Sequence, residues 1–128
     1  MRTNKRVGAL LWRGEEVLLI HRFRDGEEYW VLPGGGVEDE ETLEEALLRE
    51  VMEETSLVPS EFTLIGEHDR EDGSKHIFYE IVAEGKPVLG GPEKESMNER
   101  NVYILEWVKK DAAKILDTLY PREIQEYF

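Results

Sequence analysis

The first third of the chain alternates apolar runs with turn-forming residues, which is the pattern of consecutive β-strands. Apolar and β-branched residues are frequent at 6–12, 16–22 and 29–32, and short turns separate these runs. The third run ends at Pro33-Gly34-Gly35-Gly36. We expect these residues to stop the strand and form a loop, because proline cannot donate a hydrogen bond to a ladder and glycine weakens one.

Two segments have the periodicity of amphipathic helices. Residues 42–55 are the clearest case: Thr42 is the expected N-cap, and Glu45 completes a capping box. A second helix is predicted at 111–120, where four apolar residues share one face. These residues are Ala112, Ile115, Leu116 and Leu119.

Three further strands are predicted between and beyond the two helices. They lie at 61–69, 75–83 and 101–108, with a hairpin turn at 71–74 and a loop at 85–100. A short tail begins at Pro121. This order of strands and helices predicts an α/β fold in which a mixed β-sheet lies between helices.

Length and composition predict a small intracellular protein. A chain of 128 residues suits one compact domain, so we expect residues 1–128 to fold as a single unit. The absence of cysteine excludes a disulfide framework, a thiolate metal site and a cysteine nucleophile. No apolar run approaches the roughly 20 residues that span a bilayer, and the run at 7–12 is too short for the core of a signal peptide. We therefore expect a soluble cytoplasmic protein without a membrane partner.

The charge balance limits the kind of ligand. The chain carries 29 acidic and 16 basic residues, which gives a formal net charge of -13. Nucleic-acid polymers are bound through clustered lysine and arginine, so a polymer of this kind is not an expected partner. A small anionic substrate is compatible with this charge if a cation is recruited to meet it.

The helix at 42–55 carries acidic residues where its apolar face should continue. Leu43, Ala46 and Leu47 belong to the predicted core-facing stripe, and positions seven residues later return to nearly the same side of a helix. Those positions hold Glu50, Glu53 and Glu54. The apolar stripe therefore changes into three carboxylates at the C-terminal end of the helix, on the side that points toward the protein.

Three glutamates in this position are electrostatically unfavourable by themselves. Two unit charges about 4 Å apart repel by about 1 kcal/mol in water and by about 4 kcal/mol at an effective dielectric constant of 20, and the helix dipole adds to the repulsion. A hard divalent cation reverses this balance, because Mg²⁺ takes oxygen ligands, keeps several waters and sits between carboxylates and substrate phosphates. A solvated acidic face is the alternative that the helix alone leaves open.

The segment before the helix makes the prediction of a metal site more specific. Three consecutive glycines, 34–36, let the backbone approach a metal or a phosphate closely. Gly35 is followed after five residues by Glu41, and after seven more by the sequence Arg49-Glu50-Val51-Met52-Glu53-Glu54-Thr55-Ser56-Leu57. This spacing resembles the Nudix box, Gly-x5-Glu-x7-Arg-Glu-U-x-Glu-Glu-x-Gly-U, in which U is a bulky aliphatic residue. Every specified position matches except Ser56, where the family has glycine.

The resemblance to Nudix hydrolases implies a fold, a reaction and a cofactor. The fold would be an α/β/α sandwich with a mixed sheet, and the cofactor Mg²⁺ or Mn²⁺. In the reaction, water attacks a phosphorus of a nucleoside diphosphate linked to another group. The implied substrate is a small nucleotide-like pyrophosphate: a nucleoside triphosphate, ADP-ribose, a nucleotide sugar or a dinucleoside polyphosphate. Because Nudix domains are often dimers, a homodimer is a further expectation.

The same resemblance assigns roles to the residues of the box. Glu50, Glu53 and Glu54 are the expected metal ligands, with the carbonyl group of Gly34 as a weaker candidate. Arg49 is expected to pair with a box carboxylate and orient it; a surface ion pair is the alternative for this residue. Glu41 is expected to support the loop at the start of the helix, where the dipole favours a carboxylate, and Ser56 predicts a strained helix exit that replacement by glycine would relieve.

The general base has several candidates. Relatives use either a box glutamate, which would be Glu50 or Glu53 here, or a glutamate on a later loop. Glu93, Glu95 and Glu99 lie in the loop predicted after Gly90. Glu95 is the preferred residue of the three, and a solvated acidic loop is the alternative for all of them.

Substrate contacts are predicted on the second strand and on the glycine run. Arg22 and Arg24 can meet a phosphate as bidentate donors, and the backbone of Gly35 and Gly36 can approach the substrate. Tyr29 or Trp30 could stack on a base, with core packing as the alternative. The three histidines, His21, His68 and His76, have no metal-ligand spacing and are interpreted as strand residues.

Two other classes of function stay open at this stage. A domain of this fold could bind a nucleotide without cleaving it, or the acidic helix could serve as a surface for a protein partner without a metal. Binding modules can lose the box glutamates, whereas this chain retains all three. The sequence therefore favours a hydrolase.

Overall fold

The computed structural model describes residues 2–128, with the side chains of residues 2, 3, 92, 93 and 96 outside the described part. Eight strands form a mixed sheet in this part of the chain. They are β1 (Arg2–Arg13), β2 (Glu16–Arg24), β3 (Glu27–Val31), β4 (Gly34–Glu38), β5 (Glu61–Asp69), β6 (Lys75–Val82), β7 (Asn101–Lys109) and β8 (Leu119–Tyr120). The helices are α1 (Leu43–Thr55), α2 (Gly91–Ser96), α3 (Lys110–Lys114) and the terminal 3-10 helix η1 (Arg122–Tyr127).

Strand β1 is the centre of the half of the sheet that carries the glycine run. It pairs antiparallel with β4 and parallel with β6, and its end forms a hairpin with β2. Arg6 lies opposite Gly36 on one side and opposite His76 on the other. Gly8 lies in the same way between Gly34 and Phe78. The second half of the sheet is built on β2, which pairs with β3 and β7, while β8 extends β3.

Alternate residues of β1 point to opposite faces of the sheet, and each face has its own core. On one face the strand packs against α1; the buried residues there include Val7, Ala9, Leu11, Leu47 and Val51. On the other face it packs against α3 and η1; the buried residues there include Leu10, Phe78, Ala113, Ile124 and Phe128. The structure thus confirms the predicted α/β fold, with a mixed sheet between helices.

Helix α1 begins and ends as its sequence predicts. The Thr42 side chain accepts a hydrogen bond from the Glu45 amide at 3.1 Å, and the Glu45 carboxylate accepts one from the Thr42 amide at 2.8 Å. This reciprocal pair is the predicted capping box. Ser56 closes the helix in the left-handed conformation, with φ 63° and ψ 11°, so the expected strain at the helix exit is present.

The glycine run is a strand, and the predicted loop is wrong. Gly34–Glu38 forms β4 and pairs with β1. Pro33, directly before this strand, has no backbone N–H group to donate. Its carbonyl oxygen accepts a hydrogen bond from the Ala9 amide at 2.9 Å, so the proline begins the pairing without interrupting it. A Cβ atom on Gly34 would overlap the Val7 carbonyl oxygen. Glycine is therefore what allows the two strands to approach.

The helix predicted at 111–120 is also wrong over most of its length. Helix α3 ends at Lys114, and Ile115, predicted to face the core, is 77% exposed. Leu119 belongs to β8 and pairs with Trp30 at the edge of β3. Tertiary pairing with an open strand edge overrides the local helical preference. The loop predicted at 85–100 contains the short helix α2.

No helix within residues 2–128 has the length and apolar character needed to cross a membrane. The longest, α1, has 13 residues.

Candidate active site

The buried carboxylate of Glu50 lies directly against the glycine strand. The residue is 5% exposed. A Cβ atom placed on Gly35 would lie 2.5 Å from Glu50 Oε1 and 2.8 Å from Oε2, closer than real Cβ atoms come to another group. Any side chain at position 35 would therefore displace this carboxylate, which explains why glycine stands here.

A second buried carboxylate, Glu54, contacts the start of β4. It is also 5% exposed, and its Oε1 atom accepts a hydrogen bond from the Gly34 amide at 2.7 Å. The sequence had pointed to the carbonyl group of Gly34, whereas the described contact uses the amide. Glu50 and Glu54 are one helical turn apart, so α1 presents two acids to the same three-residue stretch of glycine.

Arg49 joins α1 to the segment before it. Its guanidinium group forms a two-bond fork with Glu41, at 2.8 and 2.9 Å, and donates to Glu50 Oε1 at 2.9 Å and to the Gly36 carbonyl oxygen at 3.0 Å. Glu41 in turn accepts from the Glu38 amide. The hydrogen bond with Glu41 raises the pKa of Arg49 above its ordinary value, so this group stays charged. Arg49 thus contacts a box carboxylate, Glu50, and also lies 3.9 Å from Glu53, the i,i+4 partner of the surface-pair alternative.

Glu53 differs from its two neighbours because its side chain is 39% exposed, with one oxygen 3.9 Å from Arg49. Helix α2 lies against the backbone of Glu53, since Cβ atoms on Gly90 and Gly91 would come within 3.0 and 3.1 Å of its carbonyl oxygen. Glu95 is exposed on this helix and Glu99 is exposed just after it. The side chain of Glu93 lies outside the described residues.

The donor set suits magnesium or manganese. In the described part of the chain no three histidine, aspartate or glutamate side chains converge in the arrangement of a metal site. The two buried acids nevertheless supply hard oxygen donors beside a strand without side chains, and Glu50 fills the space that a Cβ atom on Gly35 would take. Mg²⁺ commonly binds through one or two carboxylates and completes its shell with water and substrate phosphates. Glu50 and Glu54 therefore fit as ligands, with the more exposed Glu53 beside them.

One of the two acids, Glu54, lies at a cleft of about 660 Å³. Glu54, Gly34 and Gly35 line it, together with four arginines in a chain whose net charge is -13. The arginines are Arg6, Arg22, Arg70 and Arg122. Only Arg22 was predicted from the sequence. The other three arginines come from segments that are distant along the chain. The one signal for them in the sequence was that a basic residue on β1 or β6 faces the same side of the sheet as Gly8 and Phe78.

Arg22 is held between two tyrosines in this cleft. Its guanidinium carbon lies 3.7 Å from the ring centre of Tyr103 and 5.5 Å from that of Tyr29. One terminal nitrogen donates to Asn101 at 2.7 Å, whereas the buried Nε has no hydrogen-bond partner. Arg22 lines the cleft, so its positive charge is available to an anionic ligand there.

The other predicted substrate contacts lie elsewhere. Arg24 is exposed at the end of β2 and does not line the cleft. Gly36 is not among the lining residues; its carbonyl group accepts from Arg49. Trp30 stacks on His21, with ring centres 3.7 Å apart, which supports the core-packing alternative for this tryptophan.

Arg70 and His76 line the cleft next to the C-terminal segment. Arg70 pairs with Glu123 of η1 at 3.0 Å and lies 3.5 Å from His76 Nδ1. Burial, followed by the positive charges of Arg6 and Arg70, lowers the pKa of His76 from 6.5 to about 4. The imidazole is therefore neutral at physiological pH, although the sequence gave no reason to place His76 in a binding cleft.

Comparison with known proteins gives one consistent result. The sequence model of the NUDIX domain matches residues 2–126. Diphosphoinositol polyphosphate phosphohydrolase 3-alpha of Mus musculus is 34% identical over 121 residues, which cover 91% of this chain and 71% of that protein. ADP-ribose pyrophosphatase of Methanocaldococcus jannaschii is 39% identical over 67 residues, which cover 52% of this chain and 40% of that protein.

Comparison of the fold with solved structures agrees with the comparison of sequences. A solved MutT structure, from an analysis of the Aliivibrio salmonicida and Vibrio cholerae proteins, superposes with a TM-score of 0.73 at 20% sequence identity. The match covers 96% of this chain and 90% of the other. At this identity the likeness concerns the architecture alone.

Proposed function

The chain belongs to the Nudix hydrolase family, and on that premise we propose that it cleaves the diphosphate bond of a small phosphorylated substrate with Mg²⁺ or Mn²⁺ bound by Glu50 and Glu54. Membership confirms the resemblance carried by the box at 35–57 and makes the protein a pyrophosphohydrolase, an enzyme that acts on phosphorus-containing anhydrides. The observation that carries the proposal is the buried carboxylate of Glu54 at an arginine-lined cleft, one helical turn from the buried carboxylate of Glu50.

The contacts of the site residues indicate a role for each of them. A bound divalent cation polarises phosphoryl oxygens and lowers the pKa of a water molecule. Glu50 and Glu54 hold that charge in place, and Arg49 keeps the Glu50 carboxylate directed at the glycine strand. Arg22 is the proposed contact for a phosphate next to the scissile bond.

The proposed substrate is a diphosphate linked to a second moiety. The family acts on small nucleotide-like compounds, and the two relatives named above are described by different substrates: diphosphoinositol polyphosphate and ADP-ribose. Four arginines in one cleft support a strongly anionic substrate. The predicted cytoplasmic location, single domain and homodimer stay predictions.

Magnesium binding can be tested apart from turnover. We expect MgCl₂ to raise the melting temperature of the wild-type protein, because a ligand of the native state stabilises it. Glu54→Gln should abolish this rise and also abolish hydrolysis of ADP-ribose and of diphosphoinositol pentakisphosphate. The matched control is Glu44→Gln, the same change at an exposed position of the same helix. A wild-type protein that neither responds to Mg²⁺ nor releases phosphate products from any of a panel of diphosphates would contradict the proposal.

We propose Glu95 as the general base, since α2 lies against α1 near Glu53. Replacement by glutamine should lower kcat by about 100-fold or more if Glu95 removes a proton in the reaction. A loss of only a few-fold would transfer this role to a box glutamate, and Glu53→Gln is then the variant to measure.

A further inference from the structure

Residues 85–91 run back along the C-terminal end of α1, in the opposite direction to the helix. At the start of this segment, a Cβ atom on Gly85 would lie 3.4 Å from the Leu57 side chain, just beyond the helix. At its end, a Cβ atom on Gly91 would lie 3.1 Å from the Glu53 carbonyl oxygen and 3.2 Å from the Glu53 Cβ atom. The segment therefore ends, and α2 begins, directly beside an acid of the box.

Two hydrogen bonds hold the middle of this segment, and both involve the backbone of Val88. Its amide donates to the Thr55 carbonyl oxygen at 2.8 Å, and its carbonyl oxygen accepts from the Ser56 hydroxyl group at 2.8 Å. The Val88 side chain is exposed, so apolar packing contributes little to the position of this residue. The two bonds to the end of α1 therefore fix where the segment lies.

Helix α2 depends on contacts outside itself for its position, because its own hydrogen bonds are long. The Lys94 amide lies 3.5 Å from its acceptor and the Met97 amide 3.4 Å from its own, whereas ordinary N–H···O bonds measure about 2.7–3.2 Å. Beyond the helix, the Met97 sulfur accepts from the Tyr103 amide of β7 at 3.4 Å, and a thioether is a weak acceptor. Two residues separate Val88 from the first residue of α2, so a shift of Val88 also moves the helix and Glu95 on it.

Ser56 stands at the one position of the box where the family has glycine, and its hydroxyl group supplies one of the two bonds to Val88. Glycine closes a helix in the left-handed conformation without strain, whereas serine adopts this conformation at a cost. Glycine also has no side chain that could reach Val88. The departure from the family pattern therefore adds strain at the helix end and a contact to the segment that leads to α2.

We propose that Ser56 is a positioning residue for the reaction: its hydroxyl group holds Val88 and thereby keeps α2, with Glu95, in place beside Glu53. This inference rests on the proposed function for its catalytic end, since Glu95 is the proposed general base. The hydroxyl group contacts neither of the two buried acids that are the proposed metal ligands. Its loss should therefore lower the rate of turnover and leave the binding of Mg²⁺ unchanged.

Two substitutions separate this role from the strain at the helix end. Ser56→Gly removes the hydroxyl group and relieves the strain, whereas Ser56→Ala removes the hydroxyl group and keeps the strain. Both should lower kcat by about fivefold, the ratio that one neutral hydrogen bond is worth, with KM and the Mg²⁺ dependence at their wild-type values. Ser56→Asn should restore kcat to within about twofold of wild type, because asparagine tolerates the left-handed conformation and carries a donor.

Ser60→Ala is the matched control. The Ser60 hydroxyl group makes the same kind of bond, to the Val82 carbonyl oxygen at 3.2 Å, between the ends of β5 and β6. This variant should hydrolyse ADP-ribose and diphosphoinositol pentakisphosphate as wild type does. Amide hydrogen exchange gives a readout without catalysis: the Val88 amide should exchange about fivefold faster in Ser56→Gly and Ser56→Ala, and at the wild-type rate in Ser60→Ala.

Wild-type kcat in both Ser56→Gly and Ser56→Ala would overturn the proposal, even if the Val88 amide exchanged faster in both. A loss of kcat in only one of them would also overturn it, because that loss would follow the strain and not the hydroxyl group. Unchanged exchange of the Val88 amide would overturn it whatever the kinetics. If the wild-type protein hydrolyses no diphosphate, the proposed function fails, and faster exchange in both variants then still shows that Ser56 holds the segment before α2.

Discussion

Gly35 and Glu50 depend on each other at the level of single atoms. The carboxylate occupies the space that a Cβ atom would need, at 2.5 to 2.8 Å, and it can be buried there because Arg49 supplies the opposite charge. A buried carboxylate without such a partner would be strongly unfavourable. The spacing of the box therefore meets a packing requirement and also positions the proposed metal ligands.

Ser56 shows how a local expectation is modified by a contact far away in sequence. The residue adopts the left-handed conformation, which costs a non-glycine residue about 1 kcal/mol. Its hydroxyl group also donates to the Val88 carbonyl oxygen at 2.8 Å, a bond worth about 1 kcal/mol. Glycine would relieve the strain but lose this bond.

We therefore expect Ser56→Gly to change the free energy of unfolding by less than about 0.5 kcal/mol, because the two effects offset each other. Ser56→Ala keeps the strain and loses the bond, so it should be less stable by about 1 kcal/mol. Urea denaturation of the three proteins measures both differences. An alanine variant as stable as wild type would show that the contact with Val88 contributes nothing.

Whether a residue of the site could be predicted from the sequence depends on how far it lies from the other site residues along the chain. The glutamates and Arg49 were predictable, because their spacing on one helix fixes their relative positions. Arg6 and Arg70 were not, since they come to line one cleft only through the pairing of β1 with β6 and the docking of η1. A single sequence does not specify that register.

At the scale of elements, the site is the contact between α1 and β4. The fork of Arg49 on Glu41, with its further bonds to Glu50 and the Gly36 carbonyl oxygen, holds the helix at one position along the strand. The helix was predicted to its capping box because its signals are local. The strand was missed because glycine has little strand preference of its own, and pairing with β1 decides its conformation.

We expect Arg49→Lys to lower kcat far more than it changes KM, because Arg49 orients Glu50 but does not line the cleft. Lysine keeps the charge and lacks the planar fork. Loss of such a supporting contact typically weakens metal affinity by about 10- to 100-fold. Steady-state kinetics and a Mg²⁺ titration measure both effects.

Arg100→Lys is the control for this substitution, since Arg100 is exposed and away from the cleft. A purely structural role for Arg49 would lower the melting temperature of Arg49→Lys and leave its Mg²⁺ dependence at the wild-type value. That result would contradict the orienting role.

At the scale of the whole molecule, a chain with a net charge of -13 gathers positive charge in one cleft. The C-terminal segment closes this cleft: Ile124 and Phe128 are buried in the second core, and between them and β8 the chain brings Arg122 and Glu123 to the rim. Sequence patterns predicted a helix for part of this region because Leu116 and Leu119 have helical spacing. The actual conformation is decided by the edge of β3, with which β8 pairs, and by the packing of Ile124 and Phe128 in the same core as Phe78.

The positive cleft should make the stability of the protein depend on pH through His76. Its pKa is lowered from 6.5 to about 4 by burial and then by Arg6 and Arg70, while Glu123 and Asp72 act in the opposite direction. Below pH 6.5 the unfolded chain therefore binds a proton at this residue that the folded protein does not bind until about pH 4. Stability from this source is present above pH 6.5 and is lost progressively as the pH falls through this window.

Thermal unfolding of wild type and His76→Gln at about pH 7.5 and about pH 5 measures this contribution, because glutamine has no proton to gain in that window. The melting temperature of the wild-type protein should fall more than that of the variant. Parallel falls in the two proteins would show that burial and the charges of the cleft do not act on this residue.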